Sequence, residues 1–301
     1  MKNNNRPLVS IIVPSYNSEK TIIETLDSIK AQDYEPFEVI ISDDASIDNT
    51  VQVCRSWLEN NPNYLRIVTL LTSNTNVGTC KNLNRAINHS KGDWIKAIAA
   101  DDRLLPNCLK DDVKFITQHP DTDLLFTDSK GFGNNEIAVN CKWVGDSSRY
   151  FNRLNAKQFK LVLLQKNFLS APSAFIKMET FKELGGFDEN FKLVEDWPFW
   201  LKALDQGKVM KYMPTLTVEY RLSETSVSNN FQNSTFMHDR HELWMLTLNY
   251  MRKISFFSNI YVSSLLRLSK NSNLLNRLIH SLNVFNPFYW EIKKARKFLD
   301  S

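Results

Sequence analysis

The chain has 301 residues, 43% of them hydrophobic and 23% charged; this supplies a sizeable core and excludes a disordered protein. The net charge of +4 is unevenly spread. Residues 251–301 carry nine Lys and Arg against Glu291 and Asp300, which leaves the first 250 residues at about −3; a basic tail on a mildly acidic body points to an anionic surface as partner.

Leu8–Val13, "LVSIIV", is an apolar run of strand length, and Ile22, Ile23, Leu26 and Ile29 then recur at helical spacing behind an Asn17-Ser18 cap. Phe37–Ser42 predicts a second strand, followed by a helix with Val51, Cys54, Trp57 and Leu58 on one face. Leu65–Leu71 predicts a third strand, and Cys80, Leu83 and Ile87 a third helix. A fourth strand opens at Trp94 and stops on Asp101 and Asp102, with Pro106 just beyond; a helix burying Leu109, Val113 and Ile116 and a fifth strand over Asp123–Thr127 follow. This alternation is the pattern of a mostly parallel sheet wrapped by helices.

Past Asp128 the pattern loosens into a loop-rich crossing with a hairpin before Tyr150. A short helix at Met178–Phe187 is stopped by Gly185-Gly186, and another over Glu195–Gly207 has Pro198 in its first turn. Lys208–Met213 and Leu216–Arg221 predict two strands, and from about Phe231 the pattern is helical to the end. The expected organisation is an α/β domain over residues 1–225 and a basic helical extension over 226–301. Cys54, Cys80, Cys108 and Cys141 form no CxxC pair and read as reduced, packed thiols. With no signal-peptide pattern and no apolar run of about 18 residues, a cytoplasmic location is expected.

In open parallel sheets, ligands bind beyond the C-terminal strand ends. Those ends carry Pro14-Ser15-Tyr16-Asn17, Asp43-Asp44, Asn74–Gly78 and Asp101-Asp102. Adjacent carboxylates repel and are costly to desolvate. Asp101-Asp102 is therefore either an exposed acidic turn or a site for Mg2+ or Mn2+, which take one or two carboxylates and complete their shell with water and phosphate oxygens. Asp43-Asp44 either caps the next helix, a role Asp48 or Ser46 could fill alone, or accepts from a nucleobase imide or a ribose hydroxyl. Glu195-Asp196, at a helix N-terminus that favours negative charge, suits either capping or a general base. No GxGxxG, GxxxxGK[ST] or GxSxG is present, and the histidines offer nothing stronger than the His238/His241 pair. Phosphates would have to be neutralised by a metal.

Three stretches taken together, "VSIIVPSYNSEKTIIETLDSIKAQDYEPFEVIISDDASIDNT", "NVGTCKNLNRAINHSKGDWIKAIAADD" and "GGFDENFKLVEDWPFWLKA", resemble the family-2 glycosyltransferases of the GT-A fold. The resemblance covers roughly residues 7 to 225. It implies a Rossmann-like catalytic domain, a nucleotide-diphosphate-sugar donor, usually a UDP-sugar, and inversion at the anomeric carbon. By the same resemblance Pro14, Tyr16 and Asn17 line the nucleotide pocket, and Asp44, with Asp43 beside it, contacts the uracil. Asn76, Gly78 and Lys81 match the donor-side loop and helix start, with a lysine where an arginine is commoner. Asp101-Asp102 matches the metal motif, Asp102 being the direct ligand, and Asp196 matches the base. Tyr220-Arg221-Leu222-Ser223 lacks the histidine the family often has there, which leaves Arg221 to reach the diphosphate.

The runner-up is a sugar-1-phosphate nucleotidyltransferase, which needs a glycine-rich loop where "PSYNSEK" has none. A phospho-acceptor signalling domain needs about half this length, and a non-catalytic nucleotide-sugar binder has the same sequence signals. The tail interleaves Phe256, Phe257, Phe288, Tyr289 and Trp290 with basic residues. It fits either peripheral contact with an anionic membrane face or packing against the core or a second subunit. With membrane contact, the expected acceptor is a saccharide or lipid-linked saccharide of bacterial surface polysaccharide; no nucleic acid partner is expected.

Overall fold

In a computed structural model of the chain, the described residues are 6–64, 66–133, 150–152, 154–164, 166–222 and 234–252. The chain divides into two compact units, residues 1–148 with 169–237 and residues 149–168 with 238–301.

The first unit is built on one sheet. Its strands are β1 (Val9–Ser15), β2 (Phe37–Asp43), β3 (Val68–Leu71), β4 (Trp94–Ala97), β5 (Arg103–Leu104), β6 (Leu124–Phe132), β7 (Phe175–Lys177) and β8 (Met210–Arg221), in the order β3-β2-β1-β4-β7-β6-β8-β5. The half from β3 to β4 is parallel, with Val9 opposite Phe37 on one side and Trp94 on the other. β7 then runs antiparallel between β4 and β6, β8 is parallel to β6, and β5 closes the edge antiparallel to β8.

In β1, "VSIIVPS", all but one residue is buried, so both faces need cover. The connecting helices provide it: α1 (Ile22–Lys30) buries Ile22, Leu26 and Ile29, α2 (Thr50–Asn60) buries Cys54, Trp57 and Leu58, and α3 (Thr79–Asn88) buries Cys80, Leu83 and Ile87. Each such side chain contributes about 1.5–3 kcal/mol. α4 (Cys108–Gln118) is fixed to the sheet by a fully buried ion pair, Lys96 Nζ to Asp112 Oδ2 at 3.3 Å. Cys54, Cys80 and Cys108 are buried; Cys141 lies outside the described residues.

In the second unit, α5 (Ala156–Leu163) starts with a capping box between Asn155 and Gln158. Tyr150 stacks on Phe168 at 3.9 Å, and Phe159 meets Phe168 edge-on at 5.1 Å. Returning to the first unit, α6 (Met178–Glu183) and α7 (Asp196–Asp205) share an aromatic cluster in which Phe199 contacts Phe181, Phe187 and Trp200, and Trp200 contacts Phe126 of β6. α8 (Ser234–Arg252) ends the described chain. Among the described residues no helix is long and apolar enough to cross a membrane.

The sequence reading differs from this fold at a few places. The two strands expected at Lys208–Met213 and Leu216–Arg221 are one, β8, whose register shifts against β6 between Phe126 and Ser129 absorb the interruption at Pro214. The expected Asn17-Ser18 cap of α1 is replaced by an N-cap at Thr21 without a side-chain bond. Asn17 Oδ1 instead accepts from Ile47 N, and Ser18 supplies only its carbonyl, to Thr21 N and Ile22 N. The boundary expected after residue 225, most of the expected hairpin before Tyr150, and the basic aromatic tail from residue 253 lie outside the described residues.

Candidate active site

The ends of β1, β2, β4 and β8 surround a cavity of about 830 Å³. Of the twelve residues singled out from sequence, eight line it: Pro14, Tyr16 and Asn17 at the end of β1, Asp44 after β2, Asn76 and Gly78 before α3, Asp101 after β4, and Arg221 at the tip of β8. Asp43, Lys81, Asp102 and Asp196 do not. Lys81 is exposed on the first turn of α3. Lys20, Thr21, Asn82, Leu193 and Tyr220 also line the cavity and were missed; Lys20 and Thr21 follow directly on the β1 cluster, the one signal that would have added them.

On the β1–β2 side the strand-end loops hold one another. Asn17 has a φ of 51° and Ala45 a φ of 61°, a strained conformation for alanine. Asn17 N donates to Ser46 Oγ at 2.8 Å, and Asn17 Oδ1 accepts from Ile47 N at 2.9 Å. Asp43 lies beneath this turn and is buried: it accepts from Ser46 N at 2.9 Å, Ser46 Oγ at 2.5 Å and Ser15 Oγ at 3.3 Å. Asp44 takes Val77 N at 2.9 Å on one oxygen and Gly78 N at 2.8 Å on the other, so it shapes the loop that lines the cavity. Gly78 has a φ of +90°, and a Cβ there would lie 2.8 Å from the Lys192 carbonyl. Thr79 N donates to that same carbonyl at 2.6 Å, which ties the start of α3 to the segment leading to Asp196.

The β4 side is arranged differently. β4 ends at Ala97 and the chain turns, Asp102 N donating to Ala99 O at 3.1 Å. Asp102 is 1% exposed; its Oδ1 accepts from Arg221 N at 2.7 Å, and its Oδ2 is buried with no hydrogen-bond partner. Burial, together with the Asp101 charge, holds the Asp102 carboxyl well above the usual carboxylate range. Burial also raises Asp101, against the pull of Arg221.

Arg221 Nε donates to Asp101 O at 2.8 Å and its Nη2 to Glu24 Oε2 at 2.6 Å; Phe132 faces both Arg221 and Arg103, with guanidinium carbons 4.4 and 4.3 Å from its ring centre. The charged residues lining the cavity are Glu19, Asp44, Asp48 and Asp101 against Lys20 and Arg221, a net negative wall. A buried carboxylate oxygen without a donor, beside a second carboxylate, is a donor set that suits a hard divalent cation. Among the described residues no three His, Cys, Asp or Glu side chains converge as ligands, so such a cation would keep most of its shell for water and ligand oxygens.

Asp196 is the first residue of α7 and half-buried, and its Oδ1 accepts from Trp197 N at 2.7 Å. The segment before it reaches the cavity through Leu193.

The profile of glycosyl transferase family 2 matches residues 10–185. The chain belongs to this family.

Over 233 residues it is 28% identical to an uncharacterized glycosyltransferase of Haemophilus influenzae, covering 75% of this chain and 73% of that protein. It is 30% identical over 197 residues to the poly(ribitol-phosphate) beta-N-acetylglucosaminyltransferase TarS of Staphylococcus aureus, covering 64% of this chain and 32% of TarS. The chain thus matches about a third of TarS. Among solved structures, residues 1–349 of S. aureus TarS with UDP-GlcNAc superpose with a TM-score of 0.62 at 22% identity, covering 97% of this chain and 88% of that one. The mannosyltransferase PcManGT of Pyrobaculum calidifontis, with GDP-Man and Mn2+, gives a TM-score of 0.58 at 19% identity, covering 98% and 86%. These likenesses establish the GT-A fold.

Proposed function

We propose that this family 2 glycosyltransferase moves a sugar from a UDP-sugar to an acceptor hydroxyl with inversion, using a divalent cation held by Asp102 with Asp101 alongside. The observation that carries the reading is the partnerless, buried Asp102 Oδ2, next in sequence to Asp101, which lines a cavity with an acidic wall. A nucleotide diphosphate entering such a wall needs compensating positive charge, and no glycine-rich phosphate loop supplies it. The bound cation would stabilise charge on the departing diphosphate as a Lewis acid.

The remaining work falls to the chain's own side chains. Asp44 and Asn17 shape the pocket for the base, with Tyr16 and Pro14 as its wall, and Asn76 and Gly78 form the donor-side loop. Arg221 offers Nη1 to a phosphate oxygen, its other nitrogens being held by Asp101 O and Glu24. Asp196 accepts the proton of the acceptor hydroxyl as that oxygen attacks the anomeric carbon from the face opposite the leaving diphosphate. The C1–O bond to phosphate breaks as the new C1–O bond forms. The UDP assignment is supported by similarity to TarS, whose solved complex holds UDP-GlcNAc; the poly(ribitol-phosphate) in that enzyme's name supports an acceptor hydroxyl on a polymer here.

A thermal-shift panel of nucleotide sugars with and without Mn2+ tests the reading. A shift confined to UDP-sugars and dependent on Mn2+ is expected; a shift only with GDP-sugars overturns the donor assignment, and none with any nucleotide overturns the function. Asp196→Asn is expected to lower kcat by about 10²- to 10⁴-fold with donor affinity retained. Loss of donor binding instead would make Asp196 a structural residue.

A further inference from the structure

One face of α1 and its flanking residues is polar, and each of its side chains bonds the segment that contains Asp101 and Asp102. Thr21 Oγ1 donates to Ala100 O at 2.8 Å and Thr25 Oγ1 to Asp102 O at 2.7 Å, while Ser28 Oγ accepts from Leu104 N at 3.1 Å. Just past the helix, Gln32 Nε2 donates to Leu105 O at 2.9 Å, and Gln32 Oε1 accepts from Leu109 N at 3.2 Å. Residues 21, 25, 28 and 32 fall on one face of a helical repeat, so each successive turn grips the next part of residues 100–109.

Two holds from α1, one of them Thr25 and the other Glu24, converge on Asp102. Thr25 is fully buried and its hydroxyl fixes the backbone of Asp102 through the carbonyl. Next to it, Glu24 accepts from Arg221 Nη2 at 2.6 Å and Arg103 Nε at 2.9 Å, and Arg221 N in turn donates to Asp102 Oδ1 at 2.7 Å. The backbone and one carboxylate oxygen are therefore fixed, and Oδ2 is left without a partner.

We propose that Thr25 and Glu24 are positioning residues for the cation ligand: through them α1 sets the direction of Asp102 Oδ2 and with it the affinity for the divalent ion. The proposal rests on the reading that Asp102 holds such an ion. Loss of an outer hydrogen bond to a metal ligand weakens metal binding about 10- to 100-fold.

The test uses the full chain and Mn2+ alone, with free Mn2+ followed by electron paramagnetic resonance and folding by thermal melting. Thr25→Val removes the donor at constant shape and is expected to weaken Mn2+ binding about 10-fold or more, with Thr25→Ser restoring it. Glu24→Gln keeps an acceptor but loses the charge that holds Arg221, and is expected to weaken binding less. Glu24 has a side chain 41% exposed, so this variant carries the test if Thr25→Val fails to fold. Thr180→Val is the control: Thr180 is a buried threonine that donates to Asp123 Oδ1 at 2.7 Å, and its loss should lower the melting temperature with Mn2+ affinity unchanged.

Wild-type affinity in both Thr25→Val and Glu24→Gln, or equal weakening in Thr180→Val, overturns the proposal and leaves Asp102 as ligand. Absence of Mn2+ binding by the wild-type protein removes the ligand reading itself, and the proposal with it.

Discussion

Two pairs of adjacent aspartates stand at or just past the ends of β2 and β4, the parallel strands on either side of β1, and they look alike in sequence. Asp43-Asp44 has every carboxylate oxygen filled, by Ser15, Ser46, Val77 and Gly78. Asp101-Asp102 contains a buried oxygen with no donor and a carboxyl shifted upward by burial and by its neighbour. A carboxylate whose lone pairs are taken by nearby N–H and O–H groups organises a loop. One denied those partners is costly to keep charged and gains most from a cation. Counting partners, rather than finding the dipeptide, separates the two.

The largest expected effect sharpens that contrast. Asp102→Asn should lower Mn2+-dependent transfer by about 10²- to 10³-fold, the range for losing a preorganised electrostatic contact to the leaving group, measured as kcat/KM across a Mn2+ titration. Equal activity in chelator would break the contrast.

A second effect appears in the metal-free protein. Burial, then the Asp101 charge, raise the folded Asp102 carboxyl above its unfolded value of 3.8. The stability it contributes is therefore full below the unfolded pKa and lost as pH rises through the folded one. Melting in chelator should show wild type losing ground to Asp102→Asn as pH rises above about 4. Glu24, held low chiefly by its bond to Arg103, acts with the opposite sign but is common to both proteins and cancels. A difference independent of pH would contradict the assignment of the shift.

The smallest effect belongs to the filled pair. Asp43→Asn should cost about 1 kcal/mol of stability, the scale of one lost hydrogen bond, with Mn2+ affinity unchanged by calorimetry. Loss of Mn2+ binding there would mean the two pairs act as one site.

Much of the parallel half of the sheet was legible. β1 and β2 each contain three consecutive apolar residues, Ile11–Val13 and Val39–Ile41, within almost wholly buried strands, and such strands demand cover on both faces. The other half was less so, because β5 and β7 are two and three residues long and are defined by antiparallel partners far away in sequence rather than by any local period. The insertion of β7 between β4 and β6 leaves no trace in either neighbour.

In the site, the strand-end rule brought Tyr16, Asn17, Asp44 and Asp101 to one cavity. It gave no warning that Asp43 would be consumed by Ser46. The spacing of Thr21, Thr25, Ser28 and Gln32 is visible in the sequence, but the apolar repeat of Ile22, Leu26 and Ile29 dominates the pattern of the same helix. A polar stripe reads as solvated until its partner segment is known, and that partner lies about 75 residues onward.

The most direct measurement is anomalous diffraction from crystals of the protein grown with Mn2+ and UDP. The account predicts one Mn2+ peak at coordination distance from Asp102 Oδ2, with diphosphate oxygens on the same ion and Asp43 still bonded to Ser46. A peak on Asp43-Asp44, or nucleotide in the cavity with no metal at Asp102, would contradict it.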